Sequence, residues 1–220
     1  MHVLSLVTQK GGTGKSTLAV SLGVAAEERG MRVSILDTDP QGTARSWSLR
    51  RSSNSPEVDA TTSGSLSSRV SALERQGYDL AIVDTPGVAA PAASAAMREA
   101  DLCLIPVRPS IADIEAARPT VRLLVERDKA FAFVLNQCPG GGRTTRTSSA
   151  FRGLQVIGCV CEPTLALRSD HMDALAFGRG VTEHARRSKA AAETRAVLDW
   201  ALARMKGRSS ALVHSIRARA

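Results

Sequence analysis

The run Lys10-Gly11-Gly12-Thr13-Gly14-Lys15-Ser16-Thr17 constrains this chain more than any other stretch. Before it, Val3-Leu4-Ser5-Leu6-Val7 is an apolar alternating run that predicts a buried strand. After it, Leu18–Ala26 is rich in helix formers, with apolar residues three and four apart. The glycines therefore sit on a strand-to-helix turn, where backbone N–H groups and a helix N-terminus converge. Such a point binds phosphate. Gly11, Gly12 and Gly14 let the backbone approach phosphate oxygens without a Cβ in the way. Lys15 brings positive charge to the outer phosphates, and the Ser16 hydroxyl suits Mg²⁺. Thr13 and Thr17 belong to the same nucleotide-binding turn. A pattern this fixed arises by chance in on the order of one in 10⁴ chains of this length. A merely flexible turn is therefore a poor reading.

Two later segments fit the same chemistry. Met31–Leu36 follows Gly30, alternates like a strand, and delivers Asp37-Thr38-Asp39-Pro40-Gln41-Gly42 at its C-terminal end. Ligands of open α/β sheets gather at such ends. Two carboxylates there suit Mg²⁺ and an attacking water; the competing reading is a polar turn that caps the next helix. Tyr78–Val83 predicts a strand that ends in Asp84, followed by Thr85-Pro86-Gly87. A carboxylate in that position holds Mg²⁺ in P-loop NTPases.

The phosphate turn departs from G-x-x-x-x-G-K-[ST]. The first glycine would fall at Gln9, and a second lysine, Lys10, stands five residues before Lys15. In this it resembles the deviant Walker A motif of the ParA/MinD family of ATPases. D-x-D-P-Q-G at 37–42 and D-T-P-G at 84–87 resemble that family's next two motifs, in order. The resemblance implies ATP and Mg²⁺ as cofactors, and catalytic roles for Lys10, Lys15 and Asp39. Lys10 would reach across a dimer to the other subunit's nucleotide, and Asp39 would position the hydrolytic water. Ser16, Asp37 and Asp84 would serve the metal. Pro106-Val-Arg-Pro109 with Asp113 is similar to a segment near the dimer face of small ParA-like proteins. Asn136, at the end of the Phe131–Leu135 strand, would contact adenine; otherwise it is a turn-forming Asn.

Strand–helix alternation throughout predicts an α/β fold, a mostly parallel twisted sheet with helices on both faces. A last strand is expected at Val156–Val160 and a packed Trp47 at the sheet edge. Residues 1–206 are expected to form one ATPase domain, with 207–220 a flexible basic tail. No N-terminal helix-turn-helix module or signal peptide is expected, because the chain runs directly into its first strand.

Charge separates the chain into two parts. The first 142 residues hold 15 Lys/Arg and 15 Asp/Glu, whereas 143–220 hold 14 Lys/Arg against 6 Asp/Glu, the whole excess of +8. A localised basic excess is a footprint for nucleic acid or anionic membrane. Arg186, Arg187 and Lys189 are the first candidates for DNA contact, with Arg143, Arg146 and Arg152 behind them. Pairing with Glu183 or Glu193 is the competing explanation for these residues. The four cysteines sit mostly in apolar runs and read as buried thiols of a cytosolic protein. None falls shortly after Asp84, which argues against the iron–sulfur branch of the superfamily. A metabolic amidase relative would need a substrate pocket for which no extra segment stands out.

The resemblance thus implies a nucleotide-dependent homodimer that binds double-stranded DNA without sequence preference. A ParB-like or small adaptor protein would stimulate hydrolysis and release it. It implies a cytoplasmic, nucleoid-associated protein that partitions plasmids or chromosomes or positions other cargo. The alternative is a MinD-like membrane-associated ATPase. Leu212, Val213 and Ile216 give the tail only a thin apolar face, so a membrane partner is not expected.

Overall fold

A computed structural model of the chain describes residues 1–88, 91–140, 144–162 and 164–207. Its strands are β1 (His2–Leu6), β2 (Val33–Asp37), β3 (Glu57–Ala60), β4 (Leu80–Asp84), β5 (Leu102–Val107) and β6 (Phe131–Leu135). They form one all-parallel sheet in the order β3-β2-β4-β1-β5-β6. The expected α/β architecture is what the chain adopts. Its helices are α1 (Lys15–Glu27), α2 (Thr43–Arg50), α3 (Leu66–Arg75), α4 (Pro91–Glu99), α5 (Ile111–Glu126), α6 (Thr145–Ile157), α7 (Ser169–Ala176), α8 (Val181–His184) and α9 (Lys189–Lys206).

Alternation along the strands feeds two cores. Leu4, Leu6, Ile35, Ile82 and Leu104 pack on the face covered by α1 and α9. Val3, Leu36, Val83, Ile105 and Phe133 pack on the opposite face, against α3, α4 and α6. Successive side chains of a strand point to opposite sides, so a sheet covered on both faces needs apolar residues at nearly every position. Each fully buried Leu or Ile contributes about 1.5–3 kcal/mol relative to exposure.

Strand order decides where the site lies. From β1 the chain first builds to one side (β2, β3, β4) and then to the other (β5, β6). The C-terminal ends of β2, β4 and β1 lie side by side, with Asp37 level with Asp84 and Asp84 level with Leu6. That crevice is where ligands bind in open parallel sheets.

One expectation needs correction. Among the described residues no strand forms at Val156–Val160: α6 runs through Ile157, and the segment after it meets β6 through the isolated bridge Phe133↔Val160 and single backbone bonds such as Leu165 N–H to the Leu135 carbonyl. Val156 and Ile157 take the helical period of α6, which ends at Gly158. A Cβ there would lie 2.8 Å from the Phe131 ring. Trp47, on α2, which lies against the edge strand β3 and its neighbour β2, is packed as expected and fully buried, with its Nε1 donating to the Arg179 carbonyl at 3.1 Å. Arg143 and residues 208–220 of the tail lie outside the described residues. Among those described, no helix is long and apolar enough to cross a membrane.

Candidate functional site

The turn after β1 takes the shape its glycines permit. Gly12 and Gly14 have φ of +74° and +89°, and Gly14 caps α1. A Cβ on Gly14 would lie 2.6 Å from Asn136 Nδ2, so the close approach of the β6 end requires glycine there. The same holds across the turn. A Cβ on Gly87 would meet Gly11 Cα at 2.8 Å, which seats Thr85-Pro86-Gly87 against the phosphate loop. The Thr85 hydroxyl donates to the Leu6 carbonyl and the Thr38 hydroxyl to the Asp84 carbonyl, each at 2.7 Å. These bonds fix the three strand ends relative to one another.

A cleft of about 530 Å³ opens there, lined by Gly11, Lys15, Ser16, Asp39, Gln41 and Pro86 among others. Lys15 is buried and its Nζ donates to the Lys10 carbonyl at 3.3 Å. Burial lowers its pKa, while Asp84 and Asp39 act to hold the charge. Asp84 is fully buried, and neither carboxylate oxygen has a hydrogen-bond partner of good geometry among the described residues. Burial pushes its pKa up to about 7; Asp37 adds to the rise, and the nearby Ser16 hydroxyl and Lys15 oppose it. A buried, unpartnered carboxylate beside a serine hydroxyl suits a hard cation that completes its shell with phosphate oxygens and water. Among the described residues no cluster of three or more His, Cys, Asp or Glu could form an all-protein cage.

Asp37 and Asp39 differ. Asp37 is buried and its oxygens accept the Asp39 N–H at 3.1 Å and the Arg45 N–H at 2.9 Å. It thus shapes the 37–42 loop and the start of α2, the capping role, and faces Asp84 from one strand away. Burial raises its pKa against those two bonds. Asp39 is half-buried, lines the cleft, and accepts the Gln41 N–H at 3.0 Å.

Lys10 leaves the cleft. Its Nζ lies 3.2 Å from Asp113 Oδ1 on α5, and Arg108 Nε sits 3.1 Å from the same oxygen. Burial alone would raise the Asp113 pKa, but Ser110, Arg108 and Lys10 outweigh it and hold the carboxyl below its usual range. At the other end, Asn136 Nδ2 donates to the Thr13 carbonyl at 2.7 Å and Gln137 Nε2 to the Gly12 carbonyl at 3.1 Å. Both brace the turn. Sequence reasoning does not single out Gln137; its position beside Asn136 is the one signal that points to it.

The basic candidates divide between the layers. Arg186, Arg187 and Lys189 are exposed at the α8–α9 junction. Arg146 and Arg152 are exposed on α6, in the opposite layer. The glutamates nearest the first group in sequence are engaged elsewhere: Glu183 with Arg51 at 2.7 Å and Glu193 with Arg168 at 2.6 Å.

Comparison with known proteins places this geometry. Residues 4–218 match the family model described as the CobQ/CobB/MinD/ParA nucleotide binding domain. The chain is 35% identical over 133 residues to Protein ParA of Rhizobium radiobacter, covering 59% of each chain. It is 28% identical over 202 residues to the maintenance of carboxysome distribution protein A of Halothiobacillus neapolitanus, covering 86% of this chain and 91% of the relative. The match therefore spans a little over half the length of the first of these curated relatives. In fold it is similar to the septum site-determining protein MinD of Pyrococcus horikoshii complexed with Mg-ADP, with a TM-score of 0.74 at 18% identity over 94% of this chain and 99% of the other.

Proposed function

The chain belongs to the CobQ/CobB/MinD/ParA nucleotide-binding family, and from that premise we propose that it is a ParA-type ATPase that works as a nucleotide-dependent clamp on DNA. ATP lies along the Gly11–Thr17 turn, with Lys15 on its outer phosphates. Ser16 and Asp84 would hold Mg²⁺, with Asp37 supporting them, and the ion would supply positive charge to offset what builds on the phosphates during transfer. Asp39, at the cleft wall, orients the attacking water. Lys10 serves the nucleotide of a second copy.

The observation that carries this reading is the contrast between two lysines of one motif. Lys15 is buried in its own cleft, whereas Lys10 is directed out of it to Asp113. An ammonium group held outside its own phosphate cleft supports a role at the site of a second copy, once it leaves Asp113. Dimerisation doubles the exposed Arg186, Arg187 and Lys189 set, and phosphate binding is steep in the number of cationic contacts. A monomer with few contacts stays off DNA while its dimer binds. The role is a slow switch of partition or cargo positioning, reset when an adaptor protein stimulates hydrolysis, in the cytoplasm at the nucleoid. The relatives' names, a ParA and a carboxysome-distribution protein, support that class of task.

The test is ATP hydrolysis and duplex binding by the purified chain with Mg²⁺. Turnover that disappears in Lys15→Ala, and duplex binding that requires ATP, are expected. Duplex binding of equal strength with ATP, with ADP and without nucleotide would overturn the clamp.

A further inference from the structure

The corner between β5 and α5 carries a charge cluster outside the phosphate cleft. Asp113 is 4% exposed at its side chain, and two cations fall on one of its oxygens, Oδ1: Lys10 Nζ at 3.2 Å and Arg108 Nε at 3.1 Å. Ser110 caps α5, donates its hydroxyl to Oδ2 and accepts the Asp113 N–H at 3.2 Å. Among the described residues no third cation reaches this carboxylate. The two that do are anchored differently. Arg108 directly follows β5, and its carbonyl accepts the Ser110 N–H at 2.7 Å, so it belongs to the same tight turn as Asp113. Lys10 belongs to the phosphate turn, where its carbonyl accepts from Lys15 Nζ at 3.3 Å.

We propose that Arg108 is a positioning residue: it keeps the buried Asp113 carboxylate paired when Lys10 leaves, and so sets how readily that lysine reaches the nucleotide of a second copy. This rests on the clamp reading above and goes one step further, to the side chain that governs the lysine's release. A carboxylate this buried is strongly destabilised when its last cation is withdrawn. Arg108 prevents that loss. Its guanidinium stays charged at any working pH and presents five N–H donors in a planar fork, so a small rotation fills the place the lysine vacates. Two cations on one oxygen also repel each other, which favours departure of the one anchored farther away. That one is Lys10. Lys15 gives up the Lys10 carbonyl when it turns to phosphate, so bound nucleotide loosens Lys10 and leaves the β5–α5 turn as it is. An uncharged residue at position 108 leaves Lys10 as the sole cation on Asp113 and holds it there.

Sedimentation of the full chain with Mg²⁺ against the concentration of a non-hydrolysable ATP analogue tests this in wild type, Arg108→Gln, Arg108→Lys, Asp113→Asn and the double variant Arg108→Gln with Asp113→Asn. Nucleotide affinity of the monomer is read separately, by titrating a fluorescent ATP analogue at protein concentrations too low for dimers. Arg108→Gln is expected to need roughly tenfold more nucleotide to dimerise, with monomer affinity within about twofold of wild type. Arg108→Lys, which keeps the charge, should stay within about threefold of wild type. The double variant should dimerise as readily as Asp113→Asn, since no carboxylate is left to pair. Three results overturn the role of Arg108 and leave the clamp standing: Arg108→Gln that dimerises at the wild-type concentration, an equal loss of monomer affinity, or a penalty that persists in the double variant. A wild type that binds the analogue and stays monomeric overturns the clamp itself, and this role with it.

Discussion

Lys10 and Asp113 form an ion pair at 3.2 Å that ties the first residue of the phosphate turn to the first turn of α5, more than a hundred residues later. Asp113 is almost fully buried and also receives Arg108 and Ser110, so the acceptor is rigid and the lysine is the movable partner. A lysine that serves a second subunit must first leave this partner. The pair then opposes dimerisation by its own strength, about 1 kcal/mol for a partly exposed contact. Asp113→Asn should therefore dimerise at a nucleotide concentration lower by roughly fivefold. Lys10→Ala should bind nucleotide as a monomer and not dimerise. Sedimentation against ATP concentration reads both; a Lys10→Ala protein that dimerises normally would remove the lysine from the interface.

Asp39→Ala isolates the water-positioning step. The side chain is half-buried and lines the cleft, so the variant should fold, bind ATP and dimerise. Loss of a positioned proton acceptor lowers the rate by about 10²–10⁴-fold. Phosphate release at saturating ATP measures it, and hydrolysis at the wild-type rate would show that another group orients the water.

Asp84 makes stability of the ligand-free protein depend on pH. Its carboxyl rises from 3.8 in the open chain to about 7 in the fold. Below about pH 4 both states hold the proton. As pH climbs from there toward 7, the folded state keeps a proton that the unfolded state has released, so folding stability falls. Above 7 the buried charge is present in full. Asp37, raised in the same direction, adds to the slope. Urea unfolding without Mg²⁺ should show a decline on the order of 1–4 kcal/mol between pH 5 and 8. Asp84→Asn should flatten most of it. A ligand-free wild type that gains stability over that range would contradict the buried, unpartnered carboxylate.

Arg187 tests the basic junction. It is exposed, and nearby Glu183 and Glu193 are already paired with Arg51 and Arg168. Arg187→Ala should weaken ATP-dependent duplex binding and reduce the log–log salt slope by about 0.9 for each phosphate that the arginine neutralises. An unaltered slope and affinity would place the DNA face elsewhere, with Arg146 and Arg152 on α6 the next candidates.

Much of the fold and site is legible in the chain because it is local. Three strand-end motifs, at Lys10–Thr17, Asp37–Gly42 and Asp84–Gly87, carry their own turn chemistry, and short apolar runs mark the central strands of the sheet. Val156–Val160 misleads because a short apolar run fits either a helix or a strand, and the packing of Ala150 and Leu154, on the buried face of α6, decides between them. The packing of Trp47 is legible but its partners are not: its pocket is closed by the Arg179 carbonyl and the Arg51 guanidinium, the latter 5.0 Å from its ring. No periodicity announces such partners. The Lys10–Asp113 pair likewise joins segments far apart in sequence, where spacing is silent and topology brings the residues together.

The decisive measurement is sedimentation of the purified chain with a non-hydrolysable ATP analogue and Mg²⁺, with and without a short random duplex. A monomer that becomes a dimer with the analogue, and a dimer that alone co-sediments with the duplex, is the expected result. A chain that stays monomeric with the analogue bound, and leaves the duplex free, would contradict the shared-lysine clamp.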